Sequence, residues 1–175
     1  MHTLPRVNWP AVARAAFATA VFGLPAVAAA QDAAPQFKDY ETPIYNGRHA
    51  PPDVSSGVAY TYRTRIRDAA DEPANFAGHY RVVTWGCGAT CVAGVVYDLA
   101  SGRVTPFPFT VCCTQGEHGA DFRAVQFRPT SRLIGFTGRL NEDGPDATHF
   151  YQFARGLFVK VTSVPVQPTE PQQGS

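Results

Sequence analysis

The sequence predicts a mainly β protein of the α+β class: a single-domain antiparallel meander of six to seven strands with one N-terminal helix. Three observations carry this. Short segments rich in β-branched and aromatic residues follow one another from residue 79 to residue 164, each bounded by Gly, Pro, Asp or Ser. The connections between them are mostly short, which suits hairpins rather than parallel crossovers. Only one stretch, 58–70, carries apolar residues at helical spacing. No repeat at a fixed period is present, and the strands are too few to close a propeller.

The ends of the chain are expected to stand apart from this domain. Arg6 and Arg14 give a basic start, an apolar run follows from Ala15 to Leu24, and Ala28 and Ala30 take the small positions of an A-x-A cleavage site. That is the layout of a secretory signal peptide over residues 1–30, and the apolar run is too short to span a bilayer of about 30 Å. Residues 31–55 are Pro-rich and polar and predict an extended arm. Residues 56–164 form the β-rich domain, and 165–175, with its prolines and no apolar face, predicts a disordered tail.

In order along the chain, the first element is "VAYTYRTRIRDAA" (58–70). Val58, Tyr62, Ile66, Ala69 and Ala70 fall on one helical face, and Pro73 ends the segment. The alternative, a strand alternating Tyr60, Tyr62 and Ile66 with Thr and Arg, is weakened by the continuation into Asp68-Ala69-Ala70. "HYRVVTW" (79–85) and "VAGVVYDL" (92–99) predict two strands joined as a hairpin by the cysteine stretch between them. Gly102 stands where a tight turn needs a positive φ. "RVTPFPF" (103–109) contains two prolines, which confine it to an edge or a strand end. Four more strands are predicted at 123–127, 132–138, 148–153 and 157–164, with Arg155-Gly156 as the last short turn. Gly135 and Gly138 inside a strand predict a bulge or a close backbone approach.

Cys87, Cys91, Cys112 and Cys113 all lie downstream of the signal, in a chain bound for an oxidising compartment, so disulfides come first. Across a hairpin, Cys87 and Cys91 would have Cα atoms about 4.5–5.5 Å apart, inside the disulfide window. Cys112 and Cys113 are adjacent, and in a strand would point to opposite faces. Two cross-links from 87–91 to 112–113 would each close a loop of about twenty residues and contribute on the order of 3 kcal/mol. Loop length does not choose between the pairings; local geometry favours Cys87–Cys91. A redox centre would want Cys-x-x-Cys opening a helix, whereas here the spacing is Cys-x-x-x-Cys between β segments. A zinc site would need its second half from two adjacent cysteines, which are poorly arranged for it. Trp85 is then a large apolar body packed on the bridge.

The segment "NFAGHYRVVTWGCGATC" (75–91), with "VVYDLASGRV" (95–104), "RPTSRLIGFTGRLNEDG" (128–144) and "HFYQF" (149–153), resembles a family of small exported bacterial proteins without an established activity. The resemblance covers about the last two-thirds of the chain after residue 30 and is most specific at Trp-Gly-Cys-Gly. It implies an exported, single-domain, β-rich protein and carries over no catalytic residue.

The remaining chemistry is sparse. The chain has 15 basic and 14 acidic residues, and loss of Arg6 and Arg14 with the signal brings the net charge to about −1. That gives no electrostatic case for nucleic acid or an anionic membrane, and no second long apolar segment predicts membrane insertion. "NEDGPDA" (141–147) gathers Asn141, Glu142, Asp143 and Asp146, which could hold Ca²⁺ weakly, but it lacks EF-hand spacing and fits a solvated loop better. Arg63, Arg65, Arg67 and Arg81 would bind an anion if they converged and are otherwise a solvated face. His49 and His149 fit surface or core roles. No metal and no cofactor is expected. The residues favour a non-enzymatic binding protein, periplasmic or secreted, with Trp85, His79, Asn141 and Asp143 as its binding residues and an envelope or extracellular partner. The alternative is an envelope enzyme built on Cys113, His118 or His79.

Overall fold

An alternation of large apolar side chains builds both faces of one rolled sheet. The computed structural model describes residues 33–112 and 122–166. The predicted signal peptide, Cys113, His118 and residues 167–175 lie outside them. Two short helices, α1 (Gly57–Thr61) and α2 (Arg63–Asp68), precede the strands β1 (Tyr80–Gly88), β2 (Cys91–Asp98), β3 (Val104–Pro106), β4 (Val111–Cys112), β5 (Val125–Arg128), β6 (Ser131–Leu140), β7 (Asp143–Ala154) and β8 (Leu157–Pro165). The eight strands form one open antiparallel sheet in the order β1-β2-β4-β6-β7-β8. β3 also pairs with β2, and β5 with β6.

The predicted fold class therefore holds, and the predicted hairpin of 79–85 with 92–99 is present as β1–β2. The helix differs. It is split at Tyr62 (φ −105°, ψ 22°), and Val58, on the predicted buried face, is 42% exposed. The break falls where the Tyr62 ring lies flat on Trp85, with ring centroids 3.9 Å apart. Ala59, Ile66, Trp85 and Val95 make a small core between the helices and the β1–β2 hairpin.

The opposite face of the sheet carries the main core. Phe76, Phe107, Phe136 and Phe153 are buried there, with Phe109, Tyr151 and Phe158 packed against them. Each ring taken out of water stabilises the fold by about 1.5–3 kcal/mol. Their contacts close the roll: Phe153 of β7 reaches Tyr80 of β1 (4.9 Å) and Phe158 of β8 reaches Phe107 after β3 (5.9 Å). Sheet twist makes this possible. β2 places Val95 in one core and Val96 in the other, so it is covered on both faces and reads as a nearly continuous apolar run.

The predicted arm, 31–55, is not loose from residue 34 on: it makes one helical turn at Phe37–Tyr40 and then runs along the sheet. Backbone N–H groups of Thr42, Tyr45, Ala50 and Asp53 donate to the carbonyls of Thr130, Gly78, Leu99 and Gly102. Tyr97 donates its hydroxyl to the Ala50 carbonyl, and Val54 is buried. Packing thus begins well before residue 56. The glycines that receive the arm explain it. At Gly78 (φ +82°) and Gly102 (φ +80°) an added Cβ would lie 2.3 Å from the carbonyl oxygens of Pro43 and Pro51.

Two further differences concern turns. The predicted 141–147 loop is a two-residue turn, Asn141-Glu142, with Leu140 already paired to Asp143. Gly138 (φ +135°) marks a bulge in β6, and Gly135 lies under the Phe150 ring, as the glycines in this strand predicted.

Candidate functional site

The cysteine stretch resolves first. β1 and β2 pair Gly86 with Val92 and Gly88 with Cys91, so Cys87 is the extra residue of a bulge. That places its Cα 5.1 Å from that of Cys91, and the two are bonded. Cys112 is buried in β4. The disulfide closes the hairpin tip, and Trp85 sits two residues before it, 5% exposed, with its Nε1 lacking a hydrogen-bond partner among the described residues.

The other predicted binding residues do not converge with Trp85. His79 stands just before β1, six residues away, or about 20 Å along an extended chain. Asn141 accepts from the Thr110 N–H (3.0 Å), which ties the β6–β7 turn to the segment before β4, and Asp143 accepts from the Gly144 N–H (2.7 Å) within its own turn. Arg81 is taken up by Glu72 and the Pro73 carbonyl, whereas Arg63, lying over the Tyr60 ring, shares a shallow cavity of about 450 Å³ with Arg67 and Asp53, so the four arginines do not all converge. His149 is buried, bonded to Ser163 Oγ (2.9 Å) and to the Gly138 carbonyl (3.0 Å), and His49 reaches the Ala70 carbonyl (3.1 Å). Among the described residues no group of three or more His, Cys, Asp or Glu side chains could hold a metal ion.

His79 touches two residues that line a cavity, Asp98 and Tyr80. Its Nε2 lies 3.8 Å from Asp98 Oδ1, and its ring lies against Tyr80 (4.0 Å). Asp98 also accepts from the Ala100 N–H (2.9 Å) and the Ser101 hydroxyl (2.7 Å), which fix the β2–β3 turn. Asp98 and Tyr80 line a cavity of about 670 Å³, together with Asp53, Ser101, Arg103 and Arg155. A larger groove of about 920 Å³ runs past Thr84 and Gln126 and is lined by Cys112 and Phe122, the residues on either side of 113–121.

Both cavities carry two guanidinium groups, Arg123 and Arg128 on the larger and Arg103 and Arg155 on the smaller, and of the two only the smaller also carries carboxylates, Asp53 and Asp98. Neither Arg103 nor Arg155 makes an ion pair with a described residue. An added Cβ at Gly156 would lie 3.7 Å from an Arg103 terminal nitrogen, so Arg103 lies against the turn that carries Arg155. Both residues of that turn have positive φ (Arg155 +52°, Gly156 +78°). Such turns favour Asn or Gly at the first position, and Arg there costs backbone energy. Burial, then the Asp98 carboxylate, push the Tyr80 hydroxyl above its usual range, against a smaller opposite effect of Arg103, so it stays a donor at neutral pH. The Ser55 hydroxyl and N–H hold the Asp53 carboxyl below its usual range, so it is an anion.

The cavity therefore offers two cations, a phenol donor and two carboxylates. That set suits a small anionic ligand that also carries hydroxyl or ammonium donors. Sequence reasoning missed Arg103 and Arg155. The signal for Arg155 was present, an Arg in a two-residue turn, but nothing local says that the turn faces β3.

No protein-family model matches this chain, and neither does any curated protein or solved structure.

Proposed function

We propose that the protein is an exported, non-enzymatic binding protein of the bacterial envelope, periplasmic or secreted, that takes a small anionic ligand between Arg103 and Arg155. The observation that carries this reading is the pair of guanidinium groups on one cavity without a carboxylate partner among the described residues. Export is supported by the signal-peptide layout of residues 1–30, by the Cys87–Cys91 bridge and by the resemblance at 75–91. No helix among the described residues is long and apolar enough to cross a membrane.

Calorimetric titration with phosphate, citrate, glucuronate and glutamate tests it. At least one is expected to bind, and Arg103→Ala with Arg155→Asn to weaken it at least about tenfold, the scale of one charge-assisted contact. Asn suits the turn better than Arg, so Arg155→Asn should leave the melting temperature level or raised. Absence of binding to all four, or binding unchanged by the double substitution, would reject the site.

One geometric observation favours a second reading, an envelope enzyme using His79: the Asp98 carboxylate beside its Nε2 could orient the ring as a base. A hydrolase substrate panel that the wild type turns over and His79→Ala does not would favour it over binding alone.

A further inference from the structure

A second basic pair borders the cavity that holds Arg103 and Arg155. Arg63 and Arg67 stand one turn apart on α2 and line the shallow cavity of about 450 Å³ together with Tyr60 and Asp53. Asp53 also lines the cavity of about 670 Å³, so the two adjoin at that residue. α1 runs along both: Val58 lines the one and Tyr60 the other, and they are 42% and 54% exposed. Neither Arg63 nor Arg67 makes an ion pair with a described residue. Like charges at this helical spacing repel, so this pair, as with Arg155 at φ +52°, stands where it costs the fold. From one basic pair to the other the surface offers two cations, then a carboxylate flanked by apolar side chains, then two cations.

We infer that the ligand is an acidic oligosaccharide, with one acidic group between Arg103 and Arg155, a second against Arg63 and Arg67, and a sugar ring across Asp53. The inference rests on the reading of Arg103 and Arg155 as an anion site and extends it. Asp53 decides the chemistry of the middle. Ser55 donates its N–H (3.1 Å) and its hydroxyl (2.7 Å) to Oδ1 alone, which leaves Oδ2 to accept from a ligand hydroxyl. The same carboxylate repels a chain charged at every unit, such as a polyphosphate. Val58 and Tyr60 supply apolar surface for the C–H face of a ring. An acidic peptide reaches both basic pairs but brings neither hydroxyls nor a rigid ring face to the middle. Arg63 is held for its part: its guanidinium lies 4.5 Å over the Tyr60 ring and donates to the Tyr60 carbonyl (2.9 Å). Its other N–H groups stay available to a carboxylate.

Calorimetric titration of the full-length protein with galacturonate, digalacturonate and trigalacturonate tests the inference. One of the two oligomers is expected to bind at least about tenfold tighter than galacturonate, beyond the roughly threefold gain that three equal units give by number alone. The gain arises because the second contact forms within one bound molecule. Arg63→Gln with Arg67→Gln should bring that oligomer down to the affinity of galacturonate. Gln suits a helix, so the double variant should keep the wild-type melting curve. Oligomers that bind no tighter than galacturonate, or whose gain survives the double substitution, overturn the inference and leave the Arg103–Arg155 reading standing. So does a protein that binds phosphate, citrate or glutamate but no galacturonide, or one that takes triglutamate or tripolyphosphate as tightly as trigalacturonate. A wild type that binds none of these ligands rejects the Arg103–Arg155 site and this extension with it.

Discussion

Gly102 and Gly57 show how much a single residue's surroundings decide. Both have positive φ (+80° and +56°), and both stand outside regular structure or at its start. At Gly57 an added Cβ meets nothing within 4 Å, whereas at Gly102 it meets the Pro51 carbonyl oxygen at 2.3 Å. Gly57→Ala is therefore expected to cost only the left-handed backbone penalty, about 1 kcal/mol. Gly102→Ala must also displace the arm and should cost at least about 3 kcal/mol, through the lost approach of Pro51 and the Asp53 N–H bond to the Gly102 carbonyl. Urea unfolding of the two variants measures the difference, and equal losses would mean that the arm does not press on Gly102. The need for glycine at 102 was legible, because a turn signal is local. The Pro51 contact was not, because it joins residues fifty-one positions apart. Trp85 was read as a body packed on the bridge; it is buried, but its stacking partner is Tyr62, which spacing could not name.

At the scale of elements, the strands with strong alternation or unbroken apolar runs were legible, and the short ones were not. β4 holds two residues, and only its pairings to Val92 and to β6 define it. The β1–β2 hairpin was legible through the two β-rich segments that flank the cysteine stretch, and its cross-strand placement is what favoured the Cys87–Cys91 bond that the structure has. Its bridge closes a loop of sequence separation 4, so the chain-entropy contribution is about 2 kcal/mol, less than a longer cross-link would give. The double substitution Cys87→Ser and Cys91→Ser should thus lower stability by about that amount and leave the fold intact. Hydrogen exchange should show the change concentrated at residues 86–92, beyond the Trp85–Ala93 pair. A loss spread evenly over β6 and β7 would mean that the bridge holds the whole sheet rather than its tip. The cavity was illegible at this scale, because it is assembled from the β2–β3 turn, Tyr80, Asp53 and the β7–β8 turn, which no sequence period relates.

For the whole molecule, the open question raised by the sequence is where the folded unit begins. Polar and proline-rich composition argued for residue 56, yet composition reports the apolar surface a segment can bury, not the hydrogen bonds it can lend. The arm contributes little core beyond Val54, but it supplies partners for the carbonyls of Gly78, Leu99, Gly102 and Thr130 and accepts the Tyr97 hydroxyl. The Ser131 hydroxyl likewise donates to the Phe37 carbonyl (2.7 Å). These contacts touch the β2–β3 and β5–β6 turns and the loop before β1, so the arm is bonded to three separate turns of the sheet. Removing it leaves about six polar groups without partners, each worth about 1 kcal/mol or more where burial is deep. A chain starting at residue 56 should therefore lose on the order of 6 kcal/mol, most of the stability of a domain this size, and unfold near room temperature. A chain starting at residue 34 should melt with the full-length protein. Thermal unfolding by circular dichroism separates the two, and a stable fragment from residue 56 would return the arm to the status its composition suggests.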